Sequence, residues 1–166
     1  MNILIIENEI YLAQKVVSRL LDDGHSCDYI ESPNIDNLTK DYDTILLSTS
    51  LPSALCKNII KKYSENSIIL LLVSYISDET VTNPIKDGAK DYIMKPFIMD
   101  ELIRKIYHYK NCRSLKRELQ TLREYFEFTM TDIDTTDVLL PPSFPTLIES
   151  NSQKCADKLV FELSRK

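Results

Sequence analysis

Five short runs rich in apolar residues recur along this chain, and segments with helical spacing separate them. The runs cover residues 2–6, 27–30, 45–47, 67–73 and 91–94. A short apolar run without strict alternation is typical of a strand buried on both faces. Strands that alternate with helices form a parallel sheet with right-handed crossovers. The sequence therefore predicts an α/β fold with a doubly wound, five-stranded parallel sheet.

The intervening helices are predicted from apolar spacing and from their start and stop signals. Apolar residues repeat at helical spacing over residues 10–21, and Gly24 ends that helix. A short helix is expected over residues 33–40, and another begins at Pro52. Proline suits the first position of a helix but not its interior. Pro84 lies between the fourth and fifth strands. We therefore expect only residues 84–87 to be helical there, with Asn83 as the cap.

The last helix is predicted to begin near Met99 and to extend beyond the domain. Apolar residues continue along it at alternating spacings of four and three, between charged residues: Leu115, Leu119, Leu122 and Phe126. A seam with charged flanks, about two heptads long, favours self-association. A helix folded back on its own domain is the alternative interpretation.

The predicted organisation is a domain over residues 1–112 followed by a helical extension over 113–128. Residues 129–145 have the composition of a linker. Residues 146–166 form a C-terminal tail that is too short to be a domain by itself, because a recognition helix needs a scaffold around it. We expect this tail to be a fragment of a truncated output region.

Composition and charge exclude several classes of function. A net charge of −5 argues against nucleic-acid binding by this segment, since phosphate contacts require a basic face. With only two glycines, the chain lacks a glycine-rich phosphate loop. No apolar run is long enough for a membrane helix, so no membrane partner is expected. The scattered cysteines (Cys27, Cys56, Cys112 and Cys155) indicate free thiols in a cytoplasmic protein rather than a zinc site.

Polar residues follow the strands at the edge where a parallel sheet places its functional site. They are Glu7, Asn8 and Glu9 after the first strand, Ser48 after the third, Ser74 after the fourth and Lys95 after the fifth. Carboxylates, hydroxyls and a lysine at one edge are able to build a phosphate or metal site. The plainer interpretation is that strand-to-helix loops are polar because they face water.

These segments together resemble the receiver domains of bacterial two-component response regulators over residues 1–112. The motifs are ILIIENE at the first strand, DTILLSTSLP at the third, Ser74 after the fourth and GAKDYIMKPF around the fifth. The resemblance implies a flavodoxin-like (βα)5 fold. It also implies a site in which an aspartate takes a phosphoryl group from a histidine kinase while an acidic pair holds Mg²⁺.

Carried over residue by residue, the resemblance assigns a role to each polar position. Glu7 and Asn8 match the acidic pair, and Ser48 matches the phospho-acceptor. Ser74 and Lys95 match the residues that contact the phosphoryl oxygens. Tyr92 matches the switch aromatic that turns inward on phosphorylation.

Two positions depart from the receiver pattern. Ser48 stands where receivers have the acceptor aspartate, and Asn8 replaces the second carboxylate of the acidic pair. An acyl phosphate requires a carboxylate, and a serine hydroxyl without a neighbouring base is a poor nucleophile. Mg²⁺ requires hard, anionic oxygen ligands. We therefore expect no aspartyl phosphorylation there, no enzymatic activity, no cofactor, and Mg²⁺ binding that is lost or weak.

The missing aspartate also removes the acidic partner that the resemblance implies for Lys95. A partly buried ammonium without a partner is costly. We therefore expect Lys95 to bond to Glu7 or Glu9, with a contact to the Ser48 hydroxyl. The pocket would then be held in one state without phosphate.

The expected function is that of an atypical, orphan receiver that requires no cognate histidine kinase. It would be a phosphorylation-independent signalling and dimerisation module that regulates transcription through a DNA-binding output domain outside this chain. Candidate residues of the homodimer face are Asp91, Arg104 and Lys105, together with the seam residues Leu115, Leu119, Leu122 and Phe126. Two alternatives remain open: a redox-responsive regulator acting through Cys56 or Cys112, and phosphoryl transfer or hydrolysis at Ser48.

Overall fold

The computed structural model describes the backbone of residues 1–33 and 38–132, and the side chains of those residues up to 125. The chain divides into two compact units, the first being Met1–Arg113 and the second beginning at Ser114. The elements in chain order are β1 (Asn2–Ile6), α1 (Ile10–Asp22), β2 (Ser26–Ile30), β3 (Thr44–Ser48), α2 (Ser53–Tyr63), β4 (Ile68–Val73), a π-helical turn (Asp78–Thr82), α3 (Asn83–Asp87), β5 (Asp91–Met94) and α4 (Met99–Asp132).

The five strands form one parallel sheet in the order β2-β1-β3-β4-β5. Ile6 of β1 pairs with Leu47 of β3, and Ser48 pairs with Leu72 of β4. The carboxyl ends of β1, β3, β4 and β5 therefore reach the same edge of the sheet. The predicted five-stranded, doubly wound architecture is confirmed.

The hydrophobic core has two layers, one on each face of the sheet. Alternate residues of a strand point to opposite faces, which is why the central strands are apolar throughout. One layer joins the strands to α1 and α4 through residues such as Ile5, Leu46, Val16, Leu102 and Ile106. The other joins them to α2 and the π-helical turn: Leu4, Leu47, Leu71, Ile59, Ile60 and Val81. Close packing on both faces holds the strand ends, and hence the polar edge, in fixed positions.

The helical segment after β4 differs from the sequence prediction. Helical structure begins at Asp78, and Asn83 is its continuation rather than its cap. Ser77 is the cap: its hydroxyl accepts the Thr80 N–H at 3.2 Å, and Thr80 Oγ1 accepts the Ser77 N–H at 2.9 Å. The prediction of Asn83 as cap is wrong because Pro84 indicates only where an α-helix begins. A π-helical turn can precede that point.

Three other predicted segments lie partly or wholly outside the described residues. Half of the helix expected over 33–40 falls on residues 34–37, which lie outside the described residues, and residues 38–40 are not helical. The helix α4 continues to Asp132 and so includes the first residues of the predicted linker. The remainder of that linker and all of residues 146–166 lie beyond the described part of the chain.

Gly88 ends α3 at a close approach between two helices. Its φ is +127°, and a Cβ there would lie 2.6 Å from the Ser64 Cβ at the end of α2. A side chain at this position would therefore clash as well as strain the backbone. Glycine in the GAKDY segment thus lets α3 pack against α2.

Within the described ranges, no helix combines the length and the hydropathy that a membrane crossing requires.

Candidate functional site

Ser48 is the last residue of β3 and is completely buried. Its hydroxyl oxygen lies 3.4 Å from the backbone N–H of Ser50, which donates to it. The strand places this hydroxyl at the carboxyl edge of the sheet, where the loops that follow β1 and β5 also begin. Ser48 is therefore a buried residue at the base of the predicted site.

The Lys95 side chain extends from the end of β5 to the Ser48 hydroxyl. Its backbone N–H donates to the carbonyl of Val73 at 2.7 Å, which ties the loop to β4. Its Nζ lies 2.6 Å from Glu7 Oε2, 3.1 Å from Glu9 Oε1 and 3.2 Å from Ser48 Oγ. The contacts with Glu9 and Ser48 are hydrogen bonds, and the contact with Glu7 is a close ion pair. The lysine is therefore fully engaged by side chains of its own domain.

Glu7 is the central acidic residue of the cluster, and no part of its side chain is exposed. Its Oε1 accepts the backbone N–H of Glu9 at 3.0 Å, while Oε2 makes the close ionic contact with Lys95. The Tyr29 hydroxyl donates to the Glu7 carbonyl at 3.0 Å and holds the backbone in place. The Glu7–Lys95 contact lacks the orientation of a directed hydrogen bond, but it neutralises a charge that would be costly to bury alone.

The structure confirms the contact predicted for Lys95 and refines it. The lysine bonds to both glutamates as well as to Ser48, although the sequence argument expected only one glutamate. Asn8, which the resemblance pairs with Glu7, is exposed, and Glu9 joins the cluster instead. The chain bends at Asn8 after β1, and both glutamates approach the same lysine.

This arrangement does not fit a bound Mg²⁺. The carboxylates of Glu7 and Glu9 both contact an ammonium group, and Ser48 offers a neutral hydroxyl where an anionic oxygen is required. A cation would have to displace the lysine from the only fully buried carboxylate among the described residues. No group of three or more His, Cys, Asp or Glu side chains in the described ranges is placed to hold a metal.

The two predicted switch positions have different environments. Ser74 is exposed after β4. Tyr92 is half-buried and packs against the core layer that contains α2. The Lys105 ammonium lies 5.9 Å from the centre of the Tyr92 ring, and Lys105 pairs with Asp91 at 2.5 Å. Tyr92 thus contacts the core layer on one side and lies near Lys105 of α4.

Three candidate residues of the dimer face lie on β5 and α4. Asp91 and Lys105 form an ion pair with each other within the chain, a contact that the sequence pattern did not reveal. Arg104 is exposed. Any pairing of Asp91 or Lys105 across a dimer would have to compete with this internal contact. Their role in an interface remains a prediction.

The seam residues lie in the second unit. Leu115, Leu119 and Leu122 are exposed on α4 by 59%, 63% and 52%. Phe126 belongs to the same helix, but its side chain lies outside the described residues. The predicted apolar stripe is therefore present and accessible at its three leucines.

The cysteines differ in their environment. Cys56 is buried beside the site, and its Sγ lies 3.5 Å from the Ser48 carbonyl oxygen. Burial raises the pKa of the Cys56 thiol to about 11. Burial also raises the pKa of Cys27. Cys112 is exposed, with its Sγ 3.7 Å from His108 Nε2. Cys155 lies outside the described residues.

Comparisons with known proteins give the context for this site. No protein-family model matches the chain. It is 36% identical over 112 residues to the response regulator ArlR of Staphylococcus haemolyticus. It is 32% identical over 113 residues to the transcriptional regulatory protein DltR of Streptococcus agalactiae. These matches cover 63% and 64% of this chain and 50% of each relative, so the chain spans about half the length of the curated relatives it matches.

The fold is also found among solved structures. A response regulator receiver domain protein (CheY-like) from Methanospirillum hungatei matches with a TM-score of 0.64 at 19% identity. The match covers 69% of this chain and 97% of that one. The first unit therefore has the CheY-like receiver fold, and the relatives that its sequence matches are named as a response regulator and a transcriptional regulatory protein.

Proposed function

We propose that this chain is an atypical, orphan receiver that signals without aspartyl phosphorylation and needs no cognate histidine kinase. The observation that carries the proposal is the state of Lys95. Its ammonium forms ion pairs with Glu7 and Glu9 and donates a hydrogen bond to Ser48. In the receiver pattern this lysine contacts phosphoryl oxygens, whereas here side chains of the same chain engage it without a phosphoryl group.

The same geometry argues against phosphoryl chemistry at Ser48. A serine nucleophile needs a base to accept its proton. The titratable side chain that contacts this hydroxyl is Lys95, whose ammonium already donates to the oxygen and has no lone pair for a proton. We therefore propose that the site is not enzymatic. We also propose that Mg²⁺ binding is lost or weak, because the two glutamates bind the lysine instead.

Transcription is proposed as the process that this receiver controls. The relatives are named as a response regulator and a transcriptional regulatory protein, and the match covers half of each. The DNA-binding output would lie outside the matched region, which is consistent with the acidic net charge of −5. We propose that the module acts by bringing two copies of the chain together.

The direct test is incubation of the protein with acetyl phosphate and Mg²⁺, followed by intact mass spectrometry. We expect the mass to remain unchanged, while a receiver that has the acceptor aspartate, treated in parallel, gains a phosphoryl group. A phosphoryl group on this chain would contradict the proposal. If peptide mapping placed it on Ser48, the alternative of phosphoryl transfer at that residue would replace it.

The redox alternative has a separate test in native alkylation with iodoacetamide at about pH 8. A thiol with a pKa of about 11 is ionised to roughly one part in a thousand under these conditions, and Cys56 is also buried. We expect Cys56 to remain unmodified while the exposed Cys112 reacts, and both to react in urea. If native Cys56 were labelled as rapidly as Cys112, the result would support the redox alternative.

A further inference from the structure

The exposed leucines of α4 form a surface whose partner the structure constrains. We call Leu115, Leu119 and Leu122 the leucine seam. They follow one another at spacings of four and three, so they lie along one stripe of the helix, and each is more than half exposed. Polar residues occupy the intervening positions. An apolar stripe of this width on a polar helix matches the facing surface of a second helix of the same kind.

We propose that the leucine seam pairs with the seam of a second copy of this chain in a parallel, in-register coiled coil. The inference rests on the pairing of two copies suggested above and specifies its geometry. In heptad terms, Leu115 and Leu122 take d positions and Leu119 takes an a position. Glu118 then takes a g position, and Arg123 takes the following e position.

Charge supports the parallel arrangement. In a parallel coiled coil, a residue at g lies beside the residue five places further on, at e of the facing helix. Glu118 and Arg123 are separated by five positions, and both are exposed on the described helix. Each Glu118 would therefore face the partner's Arg123, and two-fold symmetry makes this contact twice.

The antiparallel arrangement is disfavoured by the same residues. In that geometry the e positions of the two helices face each other, so Lys116 would lie against the partner's Arg123. Like charges directly opposite across a seam oppose association. The sequence of this short helix thus specifies orientation as well as the stripe.

The first experiment measures the solution mass of the full chain by sedimentation equilibrium over a range of concentrations. We expect a dimer that dissociates on dilution, and we expect Leu119→Asp to be monomeric. Thr121→Asp is the matched control, since it adds the same charge to an exposed position outside the seam and should leave the dimer intact. Circular dichroism verifies that both variants keep the helical content of the parent.

The second experiment tests orientation by exchanging charges. In the parallel dimer, Glu118→Arg or Arg123→Glu alone places like charges opposite each other twice, and we expect association to weaken about tenfold. An equimolar mixture of the two variants should recover it, because each faces its complement. In the antiparallel arrangement, Arg123→Glu would instead strengthen association by pairing with Lys116, and that result would overturn the proposal.

The outcomes separate the seam from the broader function. A wild-type dimer that survives Leu119→Asp would overturn the seam while leaving the pairing of two copies intact. A wild-type monomer at every concentration would overturn both the seam and the pairing. Neither result affects phosphorylation independence, which rests on Lys95 and has its own test.

Discussion

Replacing Glu7 by glutamine is expected to lower the free energy of unfolding by about 3 kcal/mol. The Glu7 carboxylate is completely buried, and the Lys95 side chain is only 8% exposed, so the substitution leaves a buried ammonium without its main counter-charge. The loss should fall at the lower end of the range for a broken buried ion pair, because Glu9 still lies 3.1 Å from the same nitrogen. Glutamine preserves the shape of the side chain, so the effect isolates the charge.

Glu9→Gln is the matched control. It removes a carboxylate from the same lysine, but the Glu9 side chain is 57% exposed, so its charge remains largely solvated. We expect a loss below about 1 kcal/mol, as for other surface ion pairs. The chain has no tryptophan, so urea unfolding is best followed by circular dichroism. Equal losses from the two variants would contradict the picture of Glu7 as the principal partner.

The reciprocal change, Lys95→Met, completes the cycle. Alone it leaves the buried Glu7 carboxylate without its cation, and we expect a comparable loss of stability. Combined with Glu7→Gln, it should cost clearly less than the sum of the two single losses, because both charges of the pair are then gone. Additive losses would show that the two residues do not act as a pair.

Much of this domain could be predicted from its residues because one physical rule governs each prediction. Strands buried on both faces must be apolar at consecutive positions, so runs such as residues 67–73 identify the central strands. Parallel strands bring their carboxyl ends to one edge, so Ser48 and Lys95 were expected at the same edge of the sheet. A buried ammonium requires a nearby anion, so an ion pair between Lys95 and a glutamate could be predicted.

The details that escaped prediction depend on local geometry that residue types do not specify. The motif assigns Glu7 and Asn8 as a pair, but the direction of the chain after β1 turns Glu7 and Glu9 toward Lys95. The pairing of Asp91 with Lys105 requires the register between β5 and α4. A Ser-x-x-Thr spacing before a proline was the available signal for the Ser77 cap.

In the proposed function, Ser48 stands where the receiver pattern has its acceptor aspartate, so we expect Ser48→Asp combined with Asn8→Asp to make the chain phosphorylatable. The new carboxylate at position 48 would lie beside Lys95 and compete with Glu7 for its ammonium, which releases a carboxylate toward a cation. The change at Asn8 adds a second anionic ligand at an exposed position, where it costs little. Together they supply the hard oxygens that Mg²⁺ prefers and a carboxylate nucleophile.

With acetyl phosphate and Mg²⁺, intact mass spectrometry should then detect a phosphoryl adduct in the double variant and none in the parent. Hydroxylamine should remove it, because it cleaves an acyl phosphate and not a phosphoserine ester. Ser48→Asn combined with Asn8→Asp is the matched control, with the same shape at position 48 but no nucleophile. If the double variant folds and stays unmodified, then the fixed contacts of Lys95 with Glu7 and Glu9, rather than the missing aspartate alone, keep this receiver from accepting phosphate.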